Sequence, residues 1–222
     1  MRYLTALCFI MSACSLHAEP IALFNTGVNE GGIPQPNGTS GDSHYELIAT
    51  PPGIAGLTAI DSSGGYPMNA GWLGDDTQSD WLLAGSDRNN SPPGQYVYQT
   101  TISLPEKGNI LITGRWATDN SGLGIFVDGI LVNGQANATF TSWTSFTISG
   151  LYEGGEHTID FLVDNLEGNF PKNPSGLRVE FLSTNFTPVP ELPAFSLTLA
   201  ALAPMALLVG RRGSTSAVFE KV

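Results

Sequence analysis

From Tyr96 onward, apolar and polar positions alternate with a period of two. Tyr96, Tyr98, Thr100, Ile102 and Leu104 share one face, against Val97, Gln99, Thr101 and Ser103 on the other. This is the signature of a half-buried strand. Pro105-Glu106-Lys107-Gly108 marks a turn, and Ile110, Ile112, Gly114 and Trp116 line one face of the next strand. Leu123 to Val127 and Ile130 to Val132 flank Asp128-Gly129, a dipeptide that favours a two-residue hairpin turn at positive φ. Phe140 to Ile148 is rich in Thr and aromatic residues, as strands are. Ile159, Phe161 and Val163 alternate with Thr158, Asp160 and Leu162, and Leu177, Val179 and Phe181 with Arg178 and Glu180.

The first half is less regular. Ile21 to Phe24 reads as an entry strand before a loop containing Gly31-Gly32, Pro34, Pro36 and Gly38. Tyr45 to Ala49 is a further strand, ended by Pro51-Pro52-Gly53. Residues 61–94 read as loop, with Trp72 and Trp81 as isolated anchors. About eight short strands, frequent turns and no amphipathic helix predict an all-β fold, an antiparallel β-sandwich of jelly-roll-like form. No internal repeat is visible.

Both ends break this pattern. Arg2, the mostly apolar run Tyr3 to Ala13, and Leu16-His17-Ala18 have the order of a signal peptide, so residues 1–18 are expected to be removed and Glu19 to lead the mature chain. An alternative is lipoprotein processing at Cys14, after Met11-Ser12-Ala13. From Ala194 to Gly210 no residue is charged. As a helix this run reaches about 26 Å, close to the lower limit for a bilayer crossing. Arg211 and Arg212 follow at once and place that end on the cytoplasmic side. The expected organisation is therefore a signal peptide (1–18), a sandwich domain (19–183), a linker (184–193), a transmembrane helix with its basic stop (194–212) and a short tail (213–222).

The C-terminal order resembles the PEP-CTERM sorting signal: Pro190-Glu191, then the apolar helix, then Arg211-Arg212, with Leu192 standing where the signal has its second Pro. The resemblance implies an exosortase-type processing protease as partner, inner-membrane anchoring before processing, and transfer to the cell surface or extracellular matrix afterwards. Residues 94–183 are also similar to a β-sandwich module common among PEP-CTERM proteins. The matching pieces are Pro93-Gly94-Gln95-Tyr96-Val97-Tyr98, Gly114-Arg115-Trp116-Ala117-Thr118-Asp119-Asn120, Trp143-Thr144-Ser145-Phe146-Thr147-Ile148 and Gly176-Leu177-Arg178-Val179-Glu180-Phe181. In outline that module resembles galactose-binding-like, carbohydrate-recognising sandwiches.

Charge narrows the partners. Residues 19–191 hold 19 acidic and 5 basic side chains. Nucleic acid and anionic lipid both need neutralising cations, so neither is expected. Cys8 and Cys14 both fall in the leader, which leaves the domain without a disulfide.

The motifs of catalysis are missing. There is no Gly-x-Ser-x-Gly, no phosphate loop and no helical His pair. His44 is remote from any nucleophile motif, and His157, in Gly-Gly-Glu-His at a strand start, reads as an exposed surface residue. Sugar binding needs aromatic faces and a few fixed polar groups. The loop candidates are Trp72, Trp81, Asp119, Asn120, Asp164, Asn165 and Asn169. Asp119-Asn120 also reads as an Asx turn between strands. Trp116 and Trp143 read as strand residues in the core. Arg115 and Arg178 are expected to pair with Asp160 or Glu180. No cofactor is called for; Ca²⁺ suits the oxygen-rich loops but has no EF-hand-like spacing behind it. Four Asn-x-Ser/Thr sites (Asn37, Asn89, Asn137, Asn185) read as products of composition.

The expected function is that of an exported, envelope- or matrix-associated, non-catalytic sandwich, structural or adhesive, with extracellular polysaccharide as partner. One alternative is a carbohydrate-active hydrolase built on the acidic loop 72–87, where Asp75, Asp76 and Asp80 adjoin Trp72 and Trp81. The other is a permanently anchored spacer.

Overall fold

The computed structural model describes residues 19–74, 76–132, 137–168 and 172–190. The expected signal peptide, the apolar C-terminal segment, Glu191, Arg211 and Arg212 lie outside these residues. The chain divides into Met1–Pro188, which holds the fold, and Val189–Val222. No helix among the described residues is long and apolar enough to cross a membrane.

Among the described residues eleven strands form two antiparallel sheets: β1 (Glu19–Pro20), β2 (Glu46–Ala49), β3 (Leu57–Ile60), β4 (Trp81–Ala84), β5 (Gly94–Leu104), β6 (Gly108–Asp119), β7 (Ser121–Val127), β8 (Ile130–Leu131), β9 (Thr144–Tyr152), β10 (Gly155–Asn165) and β11 (Gly176–Pro188). One sheet has the order β3-β4-β11-β6-β9, with β1 pairing β11 as well; the other has β2-β5-β10-β7-β8. Successive strands β5, β6 and β7, and again β9, β10 and β11, change sheet at each step. The all-β antiparallel sandwich is therefore observed.

Alternation places the main core between the sheets. Tyr96, Tyr98, Ile102 and Leu104 of β5 meet Ile112 and Trp116 of β6, with Phe161 and Val163 of β10 and Val179 of β11. Between β7 and β8, Asp128 and Gly129 both have positive φ, 50° and 76°, as the hairpin signal requires.

The first sheet has a second apolar layer on its outer face. Ile60, Trp81, Leu83 and Ala117 point outward from β3, β4 and β6, and Met68 and Trp72 from the 61–80 segment cover them. Here the expectation of a loop with isolated tryptophans is corrected. Residues 57–60 and 81–84 are strands buried on both faces, so they read as continuous apolar runs without a period.

Other boundaries also shift. Residues 21–24 are not a strand. They run beside β11, where side chains replace ladder bonds: Thr26 Oγ1 accepts the Val179 N–H at 3.0 Å and Asn25 Oδ1 the Phe181 N–H at 2.8 Å. The strand expected at 140–148 occupies 144–152, because Phe140 is drawn off by Leu73, whose N–H it accepts at 2.7 Å. The last strand continues to Pro188, pairing Thr184 with Ile112 and Thr187 with Asn109. Residues 184–188, expected in the linker, thus belong to the sheet.

Candidate functional site

A cavity of about 390 Å³ opens at one end of the sandwich, where β6 gives way to β7 and β10 to β11. Its walls carry Tyr66, Trp72 and Phe140, the carboxylates of Asp119 and Glu167, Asn120, Asn173 and Lys172.

Asp119 is the last residue of β6 and is buried. Its Oδ2 accepts the Trp72 indole N–H at 3.1 Å, and its Oδ1 the Asn120 side-chain amide at 2.9 Å. Burial pushes the Asp119 pKa up to about 7; the Trp72 N–H pulls the other way and is outweighed. Asn120 Oδ1 accepts the Leu166 N–H at 2.8 Å, and Asn120 N–H reaches the Asp164 carbonyl at 3.3 Å. Asn120 therefore ties the β6–β7 junction to the end of β10, a longer link than the Asx turn expected for it.

Trp72 reaches the cavity from the second apolar layer. Its ring packs on Trp81 at 4.3 Å and against Gly176, where a Cβ would lie 2.8 Å from the indole. Only glycine allows that approach. Lys172 holds its ammonium 4.0 Å above the Tyr66 ring, a cation–π contact that fixes both at the rim.

The sequence candidates thus separate. Trp72, Asp119 and Asn120 converge on the cavity. Trp81 does not line it: it is fully buried on β4, donating to the Leu73 carbonyl at 3.0 Å, which corrects the reading of a loop anchor. Asn165 is buried and donates to the carbonyls of Ser91 and Pro92 at 2.9 and 3.1 Å. Asp164 sits in β10 opposite Gln95. Asn169 lies outside the described residues. Tyr66, Phe140, Lys172 and Asn173 escaped the sequence reading. Tyr66 followed by Pro67 in a Gly-rich stretch was the available signal.

Among the described residues, the acidic loop places no pair of carboxylates at this cavity. Asp76 is bound to Arg178 at 3.0 Å and to Arg115 at 3.6 Å. Asp80 is buried, its backbone held by Thr26. Asp75 lies outside the described residues. Arg115 does pair with Glu180, Nε to Oε2 at 2.7 Å, whereas Asp160 accepts from Gln99 instead. Trp143 precedes β9 and is half-buried, beneath the guanidinium groups of Arg115 and Arg178 at 4.5 and 5.0 Å, so it is corrected from core strand residue to cation platform; Trp116 is core. His157 is corrected from exposed to half-buried, its Nδ1 2.7 Å from Asp128 Oδ2. Among the described residues no group of three or more His, Cys, Asp or Glu is placed to hold a metal.

No family model matches the sequence, and no curated protein matches it. Among solved structures the chain is similar to a family 35 carbohydrate-binding module from Clostridium thermocellum, at 16% identity over 57% of this chain and 88% of that one, with a TM-score of 0.31. A CBM35 from Paenibacillus barcinonensis shows 16% identity over 64% and 96%, with a TM-score of 0.33. A Xyl-CBM35 in complex with a glucuronic acid-containing disaccharide shows 16% over 67% and 100%, at 0.30. Scores of this size carry no argument about ligand.

Proposed function

We propose that this protein is a non-catalytic carbohydrate-binding sandwich, acting at the cell envelope or in the extracellular matrix. The observation that carries the reading is the end cavity. Its volume falls in the range of small-molecule sites, roughly 300–1,000 Å³. It joins the aromatic side chains of Tyr66, Trp72 and Phe140 to the hydrogen-bonding groups of Asp119, Asn120 and Asn173. Sugar rings present apolar faces and hydroxyl edges, and this lining offers a partner for each. The alternation of strands between sheets supports a jelly-roll-like connectivity. Export rests on the leader at residues 1–18, and envelope association on the Pro190-Glu191, apolar and Arg211-Arg212 order; an exosortase-type protease is the matching processing partner.

A glycan array probed with the full chain, with and without Ca²⁺, tests binding. Hits that are lost in Tyr66→Ala and Asn120→Ala support the site; no hit in either condition removes the reading. Intact mass of surface material tests sorting, and recovery of chains still ending at Val222 counts against processing.

A further inference from the structure

The four edges of the two sheets are unequal. β2 and β3 have four residues each and β8 has two. β9 has nine, and among the described residues it pairs with β6 alone. Nine residues present about 30 Å of backbone, with alternate N–H and C=O groups pointing away from β6 to an edge that no described strand pairs. Natural edges of this length are blunted by charge, proline or a bulge. Thr144–Tyr152 contains no Asp, Glu, Lys, Arg, His or Pro, and its ladder with β6 runs from Tyr152 to Thr144 without a register shift.

We propose that β9 pairs with β9 of a second copy, antiparallel about a twofold axis at Ile148, joining two sandwiches through one continuous sheet. The segment is self-complementary in that register. Thr147 faces Ser149 and Ser145 faces Leu151 on the exposed side, and Thr144 faces Tyr152. On the inner side Phe146, whose ring turns over Gly114 of its own β6, faces Gly150, which the Tyr152 ring of its own strand covers. Charge selects the partner. The chain carries a net charge of −11, so most of its surfaces repel a second copy, whereas this strand brings no charge to the contact. Leu151 and its diagonal neighbour Leu111, 53% and 47% exposed, supply apolar area beside the joint.

Cross-linking reads the register. In the full chain in detergent, with Cys8 and Cys14 replaced by serine, Thr147→Cys and Ser149→Cys variants are mixed and oxidised. The mixture is expected to give a disulfide-linked dimer, while Thr147→Cys alone, displaced from its own copy along the strand, is not. Thr147→Lys is expected to weaken self-association about tenfold or more, because it sets two ammonium groups on diagonal positions of an otherwise uncharged joint, read by sedimentation. Thr101→Lys, on an exposed position of β5, is expected to leave it unchanged. Absence of the mixed dimer overturns the proposal, as does equal cross-linking by Thr147→Cys alone or equal weakening by both lysines.

Discussion

The indole N–H of Trp72 donates to the carboxylate of Asp119 across 47 positions of sequence. One end of this bond lies in the apolar layer outside the first sheet, the other at the sandwich cavity. The bond is how a covering segment fixes a wall of the site.

Asp119 therefore links stability to pH. Its folded pKa of about 7 lies above the ordinary aspartate value of 3.8. Between those values the folded chain keeps a proton that the unfolded chain has released, so stability falls as pH rises from about 4 to 7 and then levels. Thermal melts across that range should show this fall, and Asp119→Asn should remove most of it. Trp72→Phe should cost about 1–3 kcal/mol by withdrawing the donor from a buried acceptor.

Arg178 is fully buried on the outer face of β11. It donates to Ser79 Oγ at 2.7 Å, the Ser79 carbonyl at 2.9 Å and the Gly74 carbonyl at 2.7 Å, and pairs with Asp76. Arg178→Met should destabilise by about 3–5 kcal/mol, because the Asp76 carboxylate and three oxygen acceptors lose this donor. Arg178→Lys should recover little, since an ammonium lacks the planar fork. Urea denaturation midpoints measure both.

Gly129 sits at φ 76° in the β7–β8 turn. Gly129→Ala should cost about 1–2 kcal/mol, the penalty of a Cβ in the left-handed region, seen as an earlier denaturation midpoint without loss of sheet signal.

His157 lies between the Asp128 carboxylate and the Glu153 carbonyl, at 2.7 and 2.9 Å. Burial pushes its pKa down, yet the two acceptors prevail and the net shift is upward. The resulting stabilisation is complete below the unfolded value near 6.5 and disappears as pH climbs through the folded value. NMR titration should place His157 above an unstructured histidine, and Asp128→Asn should lower it.

Strands with one dry face were legible because alternation survives in them, as in Tyr96 to Leu104. β3 and β4 were not: Ala59 and Leu82 face one core while Ile60 and Trp81 face another, so no polar position marks the period. The same covering layer explains the site. Asp119 and Asn120 were readable as a polar pair at a strand junction, but Tyr66 and Phe140 reach the cavity through long-range folding that no local pattern encodes.

The segment from Asp61 to Asp80 looks expendable on paper, a glycine-rich stretch of the kind that tolerates trimming. It is a roof. Excising it would expose Ile60, Trp81 and Leu83 of two strands to water and leave the Arg178 guanidinium without its oxygen cage. Shortened versions of this protein should be engineered elsewhere along the chain.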